Sequence, residues 1–196
     1  MIVVVEGPSG AGKTTWCTRH GGRTALLEAP QDPAAVPTDP VAAARFWTEQ
    51  NVARWNEVIQ QERRDGLVVV DTDPLKLHYV WTLRETGQAS ELEWTLQRDA
   101  AREAFVAGRY GLADLYLVSD IDAAGLRARR DADGTRRRGG FERHVRLRDA
   151  LLRWYLAIDK LDPGRVASGY PTVDCRRSSW REANARKRRV PRCSSG

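Results

Sequence analysis

The stretch VVVEGPSGAGKTTW, Val3 to Trp16, decides how the rest of the chain is read. An unbroken β-branched run, Ile2 to Val5, fits a strand buried on both faces of a parallel sheet. Gly7, Gly12, Lys13 and Thr14 then match GxxxxGK[ST] in the context it requires: strand, glycine-rich turn, helix. The chain holds 28 Arg and only 4 Lys, so a lysine at this point is informative. A compact ammonium fits such a loop where a planar guanidinium does not.

The chemistry needs these residue types. Glycine lets the backbone turn on itself so that successive N–H groups face one anion, and a following helix adds its positive end. Pro8, Ser9, Gly10, Ala11 and Thr15 complete the anion-binding run. In such a phosphate-binding loop Lys13 would reach the β and γ phosphates of ATP, and Thr14 would place its hydroxyl on Mg²⁺.

Working outward, Arg23 to Leu27 reads as a second strand, followed by a proline-rich loop. Asp39 and Pro40 cap and open a helix running to about Asp65, with Ala44, Val52, Trp55 and Ile59 on its core stripe and Gly66 as its stop. Leu67 to Val70 is a buried strand ended by Asp71. The next helix is expected from Asp73–Pro74 to Gly87, and SELE, Ser90 to Glu93, is a capping box. Leu115 to Val118 makes a further strand, Phe141 to Leu161 a long helix, and Val166 to Ser168 a last strand. Strand and helix alternate without an internal repeat, which predicts a three-layer α/β domain with a mainly parallel sheet and ligands at the carboxyl ends of its strands.

With 196 residues the chain is large enough for one self-sufficient core. Cys17, Cys175 and Cys193 are odd in number, with no CxxC pair and no histidine cluster to suggest zinc, which fits a reducing cytoplasm. MIVVVE is too short for a signal-peptide core, and no apolar run approaches the roughly 20 residues of a membrane span. The expectation is a soluble cytoplasmic protein. The net charge of +6 is concentrated: residues 125–148 and 176–196 are strongly basic, the remainder acidic. The domain is expected over residues 1–175, with 176–196 as a flexible basic tail; nucleic-acid contact through that tail is open to the chain but not the favoured expectation.

A carboxylate at Asp71 would stand at the same sheet edge as the glycine-rich loop, where it could hold a Mg²⁺-bound water or accept a proton from an attacking hydroxyl. Asp73 is a further candidate at the metal, although a residue before Pro74 is also a natural helix cap. Phosphoryl transfer spreads negative charge, so cations must approach it and water must be excluded. Residues 125–140, with glycines at both ends, suit an Arg-rich lid; Arg127, Arg130, Arg138 and Arg143 are its candidate phosphate contacts.

The P-loop, the strand-end VVVDTDP and the Arg-rich segment before a long helix together resemble the nucleoside and nucleotide kinase branch of P-loop NTPases, including thymidylate-kinase-like and ribosylnicotinamide-kinase-like members. The likeness spans about Met1 to Leu161. Gly7, Gly12, Lys13 and Thr14 carry over residue by residue, Asp71 by its place at the strand end. DTD stands where thymidylate kinases show DR and an aromatic and where deoxynucleoside kinases show ERS, and the adenylate-kinase DGFPR is absent. The resemblance thus implies ATP-dependent transfer to a small-molecule acceptor, most plainly a nucleoside or nucleotide, without naming it. Trp47, Arg54, Trp55, His78, Tyr79, Trp81 and Arg84 are placed to stack a base or bind phosphate or sugar, Trp55 being better explained as core. His20, His144 and Cys17 carry no assigned role. The alternative is a non-transferring NTPase that handles nucleic acid through the tail, but NKxD, LSGGQ and an acidic residue directly after Asp71 are all missing.

Overall fold

A computed structural model describes residues 1–28, 32–132 and 140–172. Arg138, Cys175, Cys193 and the basic tail lie outside the described residues. Five strands, β1 (Ile2–Glu6), β2 (Ala25–Leu26), β3 (Val68–Asp71), β4 (Leu115–Val118) and β5 (Val166–Ser168), form one sheet in the order β2-β3-β1-β4-β5. Every pairing is parallel, and the register sets Val5 beside Asp71 and Glu6 beside Val118. The carboxyl ends of β1, β3 and β4 therefore lie side by side.

The helices are α1 (Lys13–Trp16), α2 (Pro40–Asp65), α3 (Leu77–Glu85), α4 (Glu91–Val106), α5 (Ala123–Ala132) and α6 (Phe141–Leu161). Alternation along the strands builds the two faces. Val4, Val68, Val70 and Tyr116 pack under α2, α4 and α6 with Val52, Trp55, Ala101, Leu151 and Tyr155. Val3, Val5, Val69 and Leu117 face the other way, toward Trp16 and Cys17. Each fully buried valine contributes roughly 1.5–3 kcal/mol, so the apolar runs that identify the strands also hold the layers together. This is the three-layer α/β architecture expected from the sequence.

Local signals account for most boundaries. The Asp39 carboxylate accepts from the Ala42 amide at the start of α2, and Gly66 closes it with φ 68°. Ser90 and Glu93 form both halves of a capping box on α4. Trp55 is core, 8% exposed.

Four segments differ from expectation. The helix after the glycine-rich loop is regular only over Lys13–Trp16 and widens to a π-helical turn over Cys17–Gly21. β2 is confined to Ala25–Leu26 because Gly22–Thr24 are drawn into a 3₁₀ turn, tied by Thr24 Oγ1 to the Gly21 carbonyl at 2.8 Å. α3 begins at Leu77 rather than at Asp73–Pro74: the Asp73 carboxylate accepts from the nearby Leu75 amide at 3.1 Å, and Lys76, at φ 47°, interrupts the helical path. The start of the Arg-rich segment is helical, with Gly125 inside α5. Asp122 Oδ1 takes the Gly125 amide at 2.7 Å, as an N-cap does, and Leu126 is buried.

Trp55→Ala is expected to cost about 3–5 kcal/mol through the void it leaves, and Ser90→Ala about 1 kcal/mol through loss of the cap. Urea midpoints of the two variants measure both; a smaller loss for Trp55→Ala than for Ser90→Ala would remove Trp55 from the core.

Candidate active site

The site starts at the carboxyl end of β1. Glu6, 3% exposed, accepts from the Gly7 amide through Oε1 at 2.9 Å and from the Asp73 amide through Oε2 at 2.9 Å. One side chain thus fixes the root of the glycine-rich loop to the turn after β3. A side chain at Gly7 would stand 2.7 Å from Ser119 Cβ and 2.8 Å from the Tyr170 hydroxyl, so only glycine lets the chain leave the sheet here. Tyr170 also donates to the Glu6 carbonyl at 2.9 Å. Gly12 enters α1 with φ 90°, a left-handed backbone that L side chains resist.

Lys13 folds back over the loop, Nζ to the Gly7 carbonyl at 2.8 Å. Thr14 Oγ1 donates to Asp71 Oδ2 at 2.5 Å. Asp71 is 2% exposed, and its other oxygen, Oδ1, is buried without a partner. Burial pushes the Asp71 carboxyl above its ordinary range, against the Thr14 hydrogen bond and the Lys13 charge. An unpaired buried oxygen beside a hydroxyl is a donor set suited to a hard cation with waters. Asp73 is differently engaged: besides the Leu75 amide it accepts from the Tyr155 hydroxyl at 3.3 Å, and burial pushes its carboxyl up while nearby His78 opposes this. His78, 4% exposed, lies 3.4 Å from Glu6 Oε2 and 4.0 Å from Asp73 Oδ2. Among the described residues no cluster of three or more His, Cys, Asp or Glu is arranged around a metal position.

A cavity of about 1380 Å³ opens over this edge. It is lined by the loop, Gly7 to Gly10 and Gly12 to Thr15, with Asp71, and by residues that include Glu28, Trp47, Lys76, Tyr79, Gln97 and His144. Ala11 is buried instead, packed with Leu126, Phe141 and Val145. Of the proposed stacking residues, Trp47, His78 and Tyr79 reach the cavity. Trp81 packs against Trp154 with ring centroids 5.5 Å apart, and Arg84 pairs with Glu85 and Glu91. Arg54 does neither: its guanidinium donates to the carbonyls of Leu26, Leu27 and Asp71, joining the ends of β2 and β3.

Of the chosen arginines, Arg127, Arg130 and Arg143 pair away from the loop, and Arg138 lies outside the described residues. Arg127 and Arg130 pair with Glu142, and Arg130 also lies over the Phe141 ring at 4.8 Å. Arg143 donates to Gln88 Oε1 at 2.7 Å. Among the described residues Arg129 reaches the loop, donating from Nη1 to the Ala11 carbonyl at 2.8 Å. A sequence signal for it exists: Arg129 follows the buried Leu126 by three positions, on the inward face of α5.

Sequence reasoning also missed Glu28, Lys76 and His144. Glu28, at the end of β2, forms an ion pair with Lys76. Burial pushes the Glu28 carboxyl up, but Lys76, Lys13 and Arg54 together outweigh it and hold it below its ordinary value. His144 stacks on Tyr79 with centroids 6.2 Å apart; burial first, then Lys13 and Arg143, lowers its pKa.

No family model matches the chain, and no curated protein matches it in sequence. Among solved structures it is similar to a deoxyadenosine kinase from M. mycoides with bound dATP, at a TM-score of 0.57 and 13% identity, covering 95% of this chain and 98% of that one. At that identity the likeness is one of fold: the five-stranded parallel sheet and its flanking helices form a P-loop NTPase architecture of the kind found in that kinase.

Proposed function

We propose that the chain is an ATP-dependent phosphotransferase that moves the γ-phosphoryl group of MgATP to a small molecule of the nucleoside or nucleotide class. One observation carries the reading: the glycine-rich loop, with Lys13 above it and the Thr14–Asp71 pair beside it, shares a single cavity with a wall bearing a carboxylate and aromatic rings. At about 1380 Å³ that cavity exceeds the room one small ligand needs. A donor and an acceptor fit together, as transfer requires and simple hydrolysis does not.

The roles follow from position. The loop amides and Lys13 bind the β and γ phosphates and stabilise charge as the bond to the leaving diphosphate lengthens. Thr14 and Asp71, directly or through water, would hold magnesium, which when bound neutralises phosphate charge. Asp71 thereby takes the metal role of the two open to it. Glu28, facing the acceptor side, accepts the proton of the attacking hydroxyl as the new O–P bond forms and the old one breaks. Asp73 serves the support beneath, through Leu75 and Tyr155. The match to a deoxyadenosine kinase fold supports this assignment of roles without supplying it.

Three experiments test it. Incubation with MgATP and a panel of nucleosides, nucleotides and other hydroxyl-bearing metabolites is expected to add one phosphoryl group by mass spectrometry. Lys13→Ala is expected to lower transfer about 10²–10³-fold with an unchanged circular dichroism spectrum; undiminished transfer would refute the loop's role. Asp71→Asn separates function from stability. Because burial raises the Asp71 pKa, the folded state binds its proton more tightly than the unfolded chain, so stability is full below the ordinary Asp range and declines as pH rises through the raised value. Asp71→Asn is therefore expected to abolish transfer yet unfold at a higher temperature than the parent at pH 7, with the advantage vanishing below about pH 4. A melting point below the parent's at pH 7 would contradict the assignment of Asp71 as a desolvated carboxylate.

A further inference from the structure

Among the described residues, two that are not glycine have positive φ: Thr72 at 72° and Lys76 at 47°. Left-handed backbone is costly for a side-chain-bearing residue and persists where surrounding contacts require it. Both flank the turn Asp73–Leu75, and both direct their side chains to one carboxylate. Lys76 Nζ pairs with Glu28 Oε1, and Thr72 Oγ1 donates to Glu28 Oε2 at 3.4 Å. The strained turn thus delivers an ammonium and a hydroxyl to the end of β2.

This arrangement also decides what charge the acceptor side tolerates. Lys76 is committed to Glu28, and Arg54 to three carbonyls. Arg84 and Arg143 are engaged with Glu85, Glu91 and Gln88. Lys13 lies over the loop that takes the donor phosphates. Among the described residues the cations that line the cavity are Lys13 and Lys76, and Lys76 is paired with Glu28, whereas a buried phosphate ester needs paired cations. A neutral hydroxyl needs one strong acceptor, which Glu28 supplies while Lys76 and Thr72 hold it in place.

Building on the phosphotransferase reading, we propose that Lys76 sets the specificity of the acceptor site, which takes an uncharged, hydroxyl-bearing molecule such as a nucleoside and rejects its phosphate ester. The acceptor oxygen forms its bond to the γ-phosphorus as the bond from phosphorus to the β–γ bridging oxygen breaks. The hydroxyl proton passes to Glu28, and ADP leaves with the electron pair. Lys76 does not touch the reacting atoms; it is a positioning residue that keeps Glu28 ionised and oriented. The other charged or titratable groups around Glu28 are Lys13 from the loop, Arg54 from α2, Asp71 from β3 and His144 from α6. Removal of Lys76 withdraws the largest of the cationic influences on Glu28.

The test compares nucleosides with their 5′-monophosphates as acceptors from MgATP, in the parent protein and in three variants. The parent is expected to transfer to nucleosides, with the monophosphates neither accepting nor competing. In Glu28→Gln, nucleoside transfer is expected to fall about 10²–10⁴-fold, while the released Lys76 makes the monophosphates competitive ligands at least about tenfold tighter than for the parent. In Lys76→Met the acid limb of kcat/KM is expected to move to higher pH. Lys76→Gly, which relieves the left-handed backbone while removing the same ammonium, is expected to move it in the same direction. A limb unmoved in a folded Lys76→Gly protein would overturn the role of Lys76. Parent kcat/KM for monophosphates equal to or above that for nucleosides would overturn the specificity while leaving the phosphotransferase reading standing. Transfer to neither class by a protein that binds MgATP would overturn that reading and this inference together.

Discussion

Glu6 is a carboxylate buried at the end of the central strand, and each of its oxygens holds one loop. One takes the first amide of the glycine-rich turn, the other the amide of Asp73 beyond β3. Parallel pairing has already set the ends of β1 and β3 side by side, so a single side chain can span both. A charge in this position is tolerable only while it is fully hydrogen-bonded. The loops are therefore not independent: one that withdrew its amide would leave a buried oxygen unpaired. Thr14, Asp71, Thr72 and Lys76 all take their places relative to that fixed pair of backbone positions.

The surroundings reinforce it in layers. His78 packs against Glu6 and Asp73, and the Tyr155 hydroxyl from α6 reaches Asp73. Arg54 crosses from α2 to three carbonyls at the strand ends, which fixes the spacing between Asp71 and Glu28 through the backbone rather than through either carboxylate. The cavity is thus bordered by side chains whose own partners are already determined, an economical way to hold several charges of both signs close together without collapse.

The sequence displayed most of this architecture because its signals are local. β-Branched runs mark β1, β3 and β4, and caps at Asp39, Gly66, Ser90 and Glu93 set α2 and α4. The glycine-rich loop is legible for the same reason: its residue types are adjacent and their spacing is the chemistry. What stayed hidden depends on distant segments meeting. Glu28 gains meaning from Lys76, 48 residues away, and Arg129 from Ala11, 118 residues away; neither distance leaves a trace in composition or periodicity. The expected start of α3 failed through a competing local interaction, since Asp73 satisfies the nearer Leu75 amide and Lys76 turns left-handed. Arg clustering suggested a cationic lid; among the described residues Arg127 and Arg130 share Glu142, and Arg143 donates to Gln88.

Two cations rest on carbonyls of the glycine-rich loop: Lys13 on Gly7 and Arg129 on Ala11. Each occupies the negative end of a peptide dipole, so the loop holds two cations on its carbonyls. On the proposed reading, an incoming triphosphate would exchange partners within a structure already in shape and surrender little conformational entropy on docking. Association at this loop would accordingly be a swap of polar contacts whose signature is heat released rather than order imposed.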